Sequence, residues 1–207
     1  MGAKKSKELK LKSNELTEFQ KMTYFSNDSL TNLYDYYRHF SSVEIDDGVI
    51  DFSEFCMIIK KNDNILTKRI FNTIDVNLDG SINFREFIKF LSVFINGTIE
   101  EQIDLSYKIF SNRETKFIEA KTMCEILKEV IVTEKSLADF FDHDSIDFIV
   151  KETFGRFGYS SEEYIDFEKY TIMVEQCPEI LTWLRIDLNK IKTINFAKKL
   201  KKTNCFN

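Results

Sequence analysis

The stretch Asp75-Val-Asn-Leu-Asp-Gly-Ser-Ile-Asn-Phe-Arg-Glu86 carries oxygen-bearing side chains at positions 1, 3, 5, 9 and 12 of twelve: Asp75, Asn77, Asp79, Asn83 and Glu86. Gly80 stands at position 6 and Ile82 at position 8. Short acids and amides on alternate residues converge on one centre only if the chain wraps around it. A hard divalent cation asks for that arrangement. Calcium takes about six to eight oxygens at roughly 2.3–2.6 Å, more than one strand or helix face supplies. Gly80 permits the sharp turn that brings the Ser81 carbonyl round to the ion. Asn83 is expected to hold a ligating water, and Glu86 to close the shell with both carboxylate oxygens from the start of the next helix.

The flanks agree with a helix on either side. Ile70, Phe71 and Ile74 precede the loop, and Phe84, Phe87, Ile88 and Leu91 follow it at i, i+3, i+4 and i+7, the spacing of one buried helix face. Helix, twelve-residue oxygen loop and helix together make an EF-hand, with Ca2+ as the expected cofactor.

The same template slides along the rest of the chain. Upstream, Asp47-Gly-Val-Ile-Asp-Phe-Ser-Glu54 supplies positions 5 to 12, but counting back from Glu54 puts Val43 at position 1 and Ile45 at position 3, where no side chain can ligate. Two states fit these residues. In one the loop is empty. In the other it is lengthened to fourteen residues from Ser41 to Glu54, and Ser41, Asp46, Asp47, Val49, Asp51 and Glu54 hold calcium with backbone carbonyls replacing the missing acids.

Downstream, Ser111 to Thr122 has Ile118 at position 8 but Arg113 at 3, Lys116 where glycine belongs and Thr122 where glutamate belongs. A cation inside the shell and no closing carboxylate predict a metal-free hand. Gly158 to Lys169 has Ile165 at 8 and Asp166 at 9, with Gly158 at 1 and Lys169 at 12, and is expected to be metal-free too, although Glu162 and Glu168 would attract a loosely held ion. Ile50, Ile82, Ile118 and Ile165 all sit at position 8, where paired hands form a short antiparallel bridge. Retention of this residue where ligands are lost predicts an intact scaffold.

The expected fold is therefore all-α: a two-lobed protein of four EF-hands with short antiparallel inter-loop β-bridges. A basic arm would span 1–23, an N-lobe 24–97, a C-lobe 98–177, and a C-terminal helix with a basic tail 178–207. Composition is consistent with this. The 207 residues include 20 Phe but only 6 Gly and one Pro, which leaves little material for the turns of a many-stranded sheet.

The net charge of -5 and pI near 5.3 argue against nucleic acid as a partner. Two His and four widely spaced Cys leave zinc and iron–sulfur sites almost no ligands to draw on, and the Cys read as thiols of a reducing compartment. Nucleophile elbow, phosphate loop and His–carboxylate signatures are missing, so no catalytic residues are expected.

His39-Phe-Ser-Ser-Val-Glu-Ile-Asp-Asp-Gly-Val-Ile-Asp-Phe-Ser-Glu-Phe55 closely resembles the first hand of calcineurin B-like proteins, which share its SS-x-x-x-DDG-x-I stretch and its lengthened loop. Leu91-Ser-Val-Phe94 and Cys177-Pro-Glu-Ile-Leu181 look like the same family, and the resemblance spans roughly 24 to 190. Neuronal calcium sensors share the plan but typically carry a CPxG disruption in the first hand, and calcineurin B itself has an acid-rich first loop. The resemblance implies a calcium sensor that grips an amphipathic helical segment of a protein kinase in an apolar groove. The family's FPSF motif near the C-terminus is missing here. A regulatory protein like calcineurin B or the neuronal sensors, or a constitutive adaptor with structural calcium, is the alternative.

Met1-Gly-Ala-Lys-Lys-Ser6 fits the N-myristoylation pattern, with Gly2 exposed once Met1 is removed. One myristoyl chain binds a bilayer with a constant of only about 10⁴ M⁻¹. Lys4, Lys5, Lys7, Lys10 and Lys12 each add on the order of 1 kcal/mol at an anionic leaflet. Together they predict a cytoplasmic protein peripherally attached to a membrane surface. Lys192, Lys198, Lys199, Lys201 and Lys202 around Ile191, Ile194, Phe196 and Leu200 give the tail three expected fates: cover for the groove, contact with a membrane, or a solvated end.

Overall fold

The computed structural model describes residues 11–42, 47–59, 63–133, 143–160, 164–178 and 180–181. Helices α1 (Ser13–Lys21) and α2 (Asn27–Phe40) are followed by strand β1 (Ile50–Asp51) and helix α3 (Phe52–Ile59). The second hand is α4 (Ile65–Ile74), β2 (Ser81–Ile82) and α5 (Phe84–Asn96). The third is α6 (Ile99–Phe110), β3 (Ile118–Glu119) and α7 (Ala120–Thr133). The fourth is α8 (His143–Arg156), β4 (Tyr164–Ile165) and α9 (Phe167–Gln176). The all-α, four-hand architecture expected from the sequence is the one observed.

Side chains start these helices locally. Ser26, Asn64, Asn83, Thr98 and Asp166 each stand in extended backbone just before a helix and accept an amide of its first turn. At Asn83 and Thr98 the glutamate three residues on answers with a bond back to the cap amide.

The hands pair as the position-8 isoleucines require. Ile50 faces Ile82 across β1–β2, and Ile118 faces Ile165 across β3–β4, both antiparallel. All four side chains are buried. A two-residue ladder is too short to stand alone, so its stability comes from the helices packed around it.

One continuous apolar core runs through both pairs of hands. Helix α4 packs on α6 and α7, and α5 packs on α6. The turn between α5 and α6 is closed by Gly97, where a Cβ would stand 2.4 Å from the Val93 carbonyl oxygen. Only glycine fits that approach.

Residues 13–21, part of the basic arm in the sequence reading, form a helix that packs on α2. Phe19 sets its ring edge-on to Phe84 at 5.4 Å. Glu18 pairs with Arg85 at 2.7 Å, and Arg85 lies over the Phe19 ring at 5.4 Å. Cys56, Cys124 and Cys177 are free thiols. Among the described residues no helix is long and apolar enough to cross a membrane.

Candidate metal centre

In the second loop the two terminal acids are buried and turned inward. Asp75 is 4% exposed and Glu86 7%. The Asp75 carboxylate accepts the Leu78 amide at 2.8 Å and the Gly80 amide at 3.0 Å. Glu86 Oε1 accepts the amides of Val76 and Asn77 at 3.1 and 3.2 Å, and its Oε2 accepts that of Asn83 at 3.0 Å. Gly80 has φ +82°, the left-handed conformation that glycine adopts without steric cost. Leu78 shares it at φ +66°.

Asp79 is the solvent-side acid. The Ser81 hydroxyl and amide, and then the Asn77 carboxamide, donate to it and hold its carboxyl below the usual carboxylate range. Whatever these bonds add to the loop is present above the ordinary carboxylate range and is lost as the pH falls through the depressed value.

Among the described residues no three His, Cys, Asp or Glu side chains converge as a metal cluster. The loop's donors are mixed. Carboxylates of Asp75, Asp79 and Glu86 share it with the carboxamides of Asn77 and Asn83 and the Ser81 carbonyl. All are hard oxygens on a wrapped backbone, and the buried pair Asp75 and Glu86 closes it from both ends. This donor set fits calcium and lacks the Cys and His side chains of the usual zinc sites.

The first loop is seen at its two ends. Ser41 is fully buried, and its hydroxyl has no hydrogen-bond partner. Leaving a buried hydroxyl unpaired costs about 1–3 kcal/mol, so such an atom calls for a ligand. At the other end Glu54 is 3% exposed and its Oε2 accepts the Asp51 amide. Asp47 accepts the Val49 amide, and Asp51 accepts from Ser53 and Glu54. Asp46, with Val43 and Ile45, lies outside the described residues.

A tyrosine that sequence reasoning missed measures this loop. The Tyr37 hydroxyl bonds the carbonyls of Gly48 at 2.9 Å and Ile82 at 2.8 Å, tying the first loop to the second. Tyr107 repeats this in the other pair of hands, with the carbonyls of Lys116 and Ile165. Burial, and then the charge of Asp47, push the Tyr37 hydroxyl well above its usual range, so it stays a donor.

Eleven residues separate Tyr37 from Gly48 and nine separate Tyr107 from Lys116. Gly48 and Lys116 share the left-handed backbone, at φ +85° and +61°. The first loop therefore carries two extra residues before its turn, in the place where the sequence suggested a lengthened loop from Ser41. The signal was present: Tyr37 and Tyr107 each stand four residues before their loop's first residue, and Phe84 and Phe167, at position 10 of the partner loop, meet them edge-on.

The third and fourth loops keep the scaffold. Lys116 holds the turn glycine's conformation despite its side chain, and Gly158 takes φ +74°. Arg113 corrects the sequence reading. Its guanidinium is not inside its own loop but reaches the carbonyls of Asn72, Asp75 and Val76. Lys169, at the closing position of the fourth loop, lies over the Tyr159 ring at 4.9 Å. Glu162, Gly2, Lys4, Lys5, Lys7, Lys10 and the basic tail lie outside the described residues, and Lys12 lies just before α1.

No family model matches the chain. It is 26% identical over 195 residues to calcineurin B-like protein 5 of Arabidopsis thaliana, across 92% of this chain and 95% of the relative. It is 32% identical over 123 residues to the calcineurin B protein of Naegleria gruberi, across 58% of this chain and 68% of the relative. The type 2 calcineurin B protein of Dictyostelium discoideum is 27% identical over 161 residues, 77% and 84% of the two chains. With the lengthened first loop, the retained isoleucine bridges and the acid-closed second loop, these similarities mean that the chain belongs to the calcineurin B and calcineurin B-like family of EF-hand proteins.

Proposed function

We propose that this protein is a calcium-responsive regulatory protein that takes up Ca2+ in its second loop through Asp75, Asn77, Asp79, Ser81, Asn83 and Glu86 and grips a helical segment of a target. The observation that carries it is the burial of Asp75 and Glu86 at the two ends of one loop. Asp75 ends α4 and Glu86 begins α5, so an ion bound to both fixes the angle between the helices. No step requires a catalytic group, and the protein acts by binding.

A second calcium ion enters the first loop through Ser41, Asp46, Asp47, Val49, Asp51 and Glu54. The unpartnered Ser41 hydroxyl supports it. Calorimetric titration of the full chain in magnesium-containing buffer is expected to count two sites. Ser41→Ala and Glu54→Gln should each remove the weaker one. A single site untouched by either variant would return the first loop to a purely structural role.

The target is a protein-kinase helix by the resemblance of the first hand to calcineurin B-like proteins. Met57, Ile99, Phe148 and Ile172 are large apolar side chains left exposed. Recruitment is to the cytoplasmic face of a membrane, through myristoyl-Gly2 and the lysines that follow. Flotation of the acylated chain with anionic vesicles tests this. Gly2→Ala is expected to lose vesicle binding, and equal flotation of both forms would remove the anchor from the proposal.

A further inference from the structure

The third loop has lost its ligands yet keeps Arg113, and that side chain works on the neighbouring hand. Its Nη1 donates to the Asn72 carbonyl at 2.9 Å, and its Nη2 donates to the Asp75 carbonyl at 2.9 Å and more distantly to that of Val76 at 3.4 Å. Asn72 belongs to the last turn of α4 and Asp75 caps that helix. The final carbonyls of a helix have no partner within it, and its C-terminus attracts a cation. The service is mutual. Arg69, on α4, donates from Nη1 to the carbonyl of Ser111, which caps α6. Each arginine thus closes the entering helix of the other's hand.

Two of the three carbonyls held by Arg113, those of Asp75 and Val76, belong to consecutive peptide planes, Asp75–Val76 and Val76–Asn77. The amides of those same planes donate to Glu86 Oε1, at 3.1 and 3.2 Å. A peptide unit is rigid, so fixing its oxygen fixes the direction of its N–H. Both planes are gripped from two sides, by a guanidinium on the carbonyl and by the loop's closing carboxylate on the amide. A lysine ammonium is a point charge without the planar fork that lets Arg113 span three carbonyls.

We propose that Arg113 is a positioning residue for the calcium loop of the second hand, so that the metal-free third loop holds the peptide planes that orient Glu86 and couples occupancy of the second hand to the C-lobe. This rests on calcium binding between Asp75 and Glu86. The coupling is reciprocal: whatever shifts the third loop shifts calcium affinity at the second, and calcium there shifts the third loop by the same free energy. In this view the loss of ligands from the third loop frees an arginine for a task on the loop beside it.

The experiment compares wild type, Arg113→Lys, Arg113→Met and the exposed neighbour variant Glu114→Gln, all full-length, by calcium titration and by amide hydrogen exchange in calcium-free protein. Both Arg113 variants are expected to weaken calcium binding at the second hand by at least about fivefold. The loss should persist from about 0.1 M to about 1 M salt, over which the screening length falls from about 10 Å to about 3 Å. Exchange at the Val76 and Asn77 amides should quicken selectively, and Glu114→Gln should match wild type.

Wild-type affinity and exchange in Arg113→Lys would overturn the proposal. So would tighter calcium binding in Arg113→Met that vanishes with salt, since Arg113 would then be only a repelling charge. Protection lost evenly over both lobes would make it a general structural residue and equally end the idea. If wild type takes up no calcium at the second hand, it is the metal assignment that fails, and exchange at Val76 and Asn77 still decides whether Arg113 orients them.

Discussion

Glu86→Gln is expected to weaken calcium binding at the second hand by at least about 100-fold, because even groups that only orient metal ligands contribute about 10–100-fold. The substitution removes one of three carboxylate charges and half of the oxygen pair that closes the shell. It also acts without metal. Glu86 accepts three amides through its two oxygens, from Val76, Asn77 and Asn83. A carboxamide offers one oxygen and one donating NH2, so at least one of these amides meets a donor. Calcium-free stability should therefore drop by about 1–3 kcal/mol. Calorimetry and thermal melting of the same samples separate the two effects. An unchanged isotherm would remove the second loop as the calcium site.

Phe84→Ala carries the largest expected loss of stability, about 3–5 kcal/mol. Its ring is 8% exposed and meets Phe19 at 5.4 Å, Tyr34 at 5.0 Å and Tyr37 at 5.3 Å, all edge-on. Those partners come from α1 and α2, so one side chain joins three helices. For a chain of this length the midpoint of thermal unfolding should fall by roughly 10 °C. Helix α1 loses the ring that Phe19 packs edge-on against, and the exposed Glu18–Arg85 pair, worth about 0–1 kcal/mol, offsets little of that loss. Chymotrypsin should then cut at Phe19 well before the rest of the chain melts. A stability change below about 1 kcal/mol, or a protected Phe19, would show that α1 is held by something else.

Phe84 also joins the arm to the calcium loop, since it stands two residues before Glu86. Arg85 between them ties Glu18 and the Phe19 ring. The end of the basic segment therefore docks on the first turn of α5, the helix that carries Glu86. The sequence treated residues 1–23 as one arm, because a nine-residue helix with a single buried side chain, Phe19, carries little periodic signal.

Much of the second hand was legible because its chemistry is local. The expected ligand oxygens, the turn glycine and the expected closing acid lie within twelve residues, and the structure turns Asp75 and Glu86 inward on that loop. The isoleucine pairing was legible too. Position 8 recurs in every loop, and a bridge between loops needs an apolar residue there. Local arithmetic was ambiguous at the first loop, where counting back from Glu54 gave one origin and Ser41 another. A bond settles the length: Tyr37 and Tyr107 hold equivalent turns, and the spacing differs by two residues.

Arg113 was misread for the opposite reason. Position 3 of a loop predicts a side chain directed at that loop's own centre, but the guanidinium goes to the carbonyls at the end of α4 instead. Those carbonyls lie 37 to 41 residues away in the chain. Nothing in the spacing of the third loop encodes them, because they become neighbours only when α4 packs on α6. The sequence by itself determined four hands, since each follows from a pattern within a dozen residues, and their pairing, since the same isoleucine recurs at position 8 of every loop. Only the tertiary structure decided which hand's arginine serves which loop, because a guanidinium bonds whatever acceptors the packing of helices leaves open beside it.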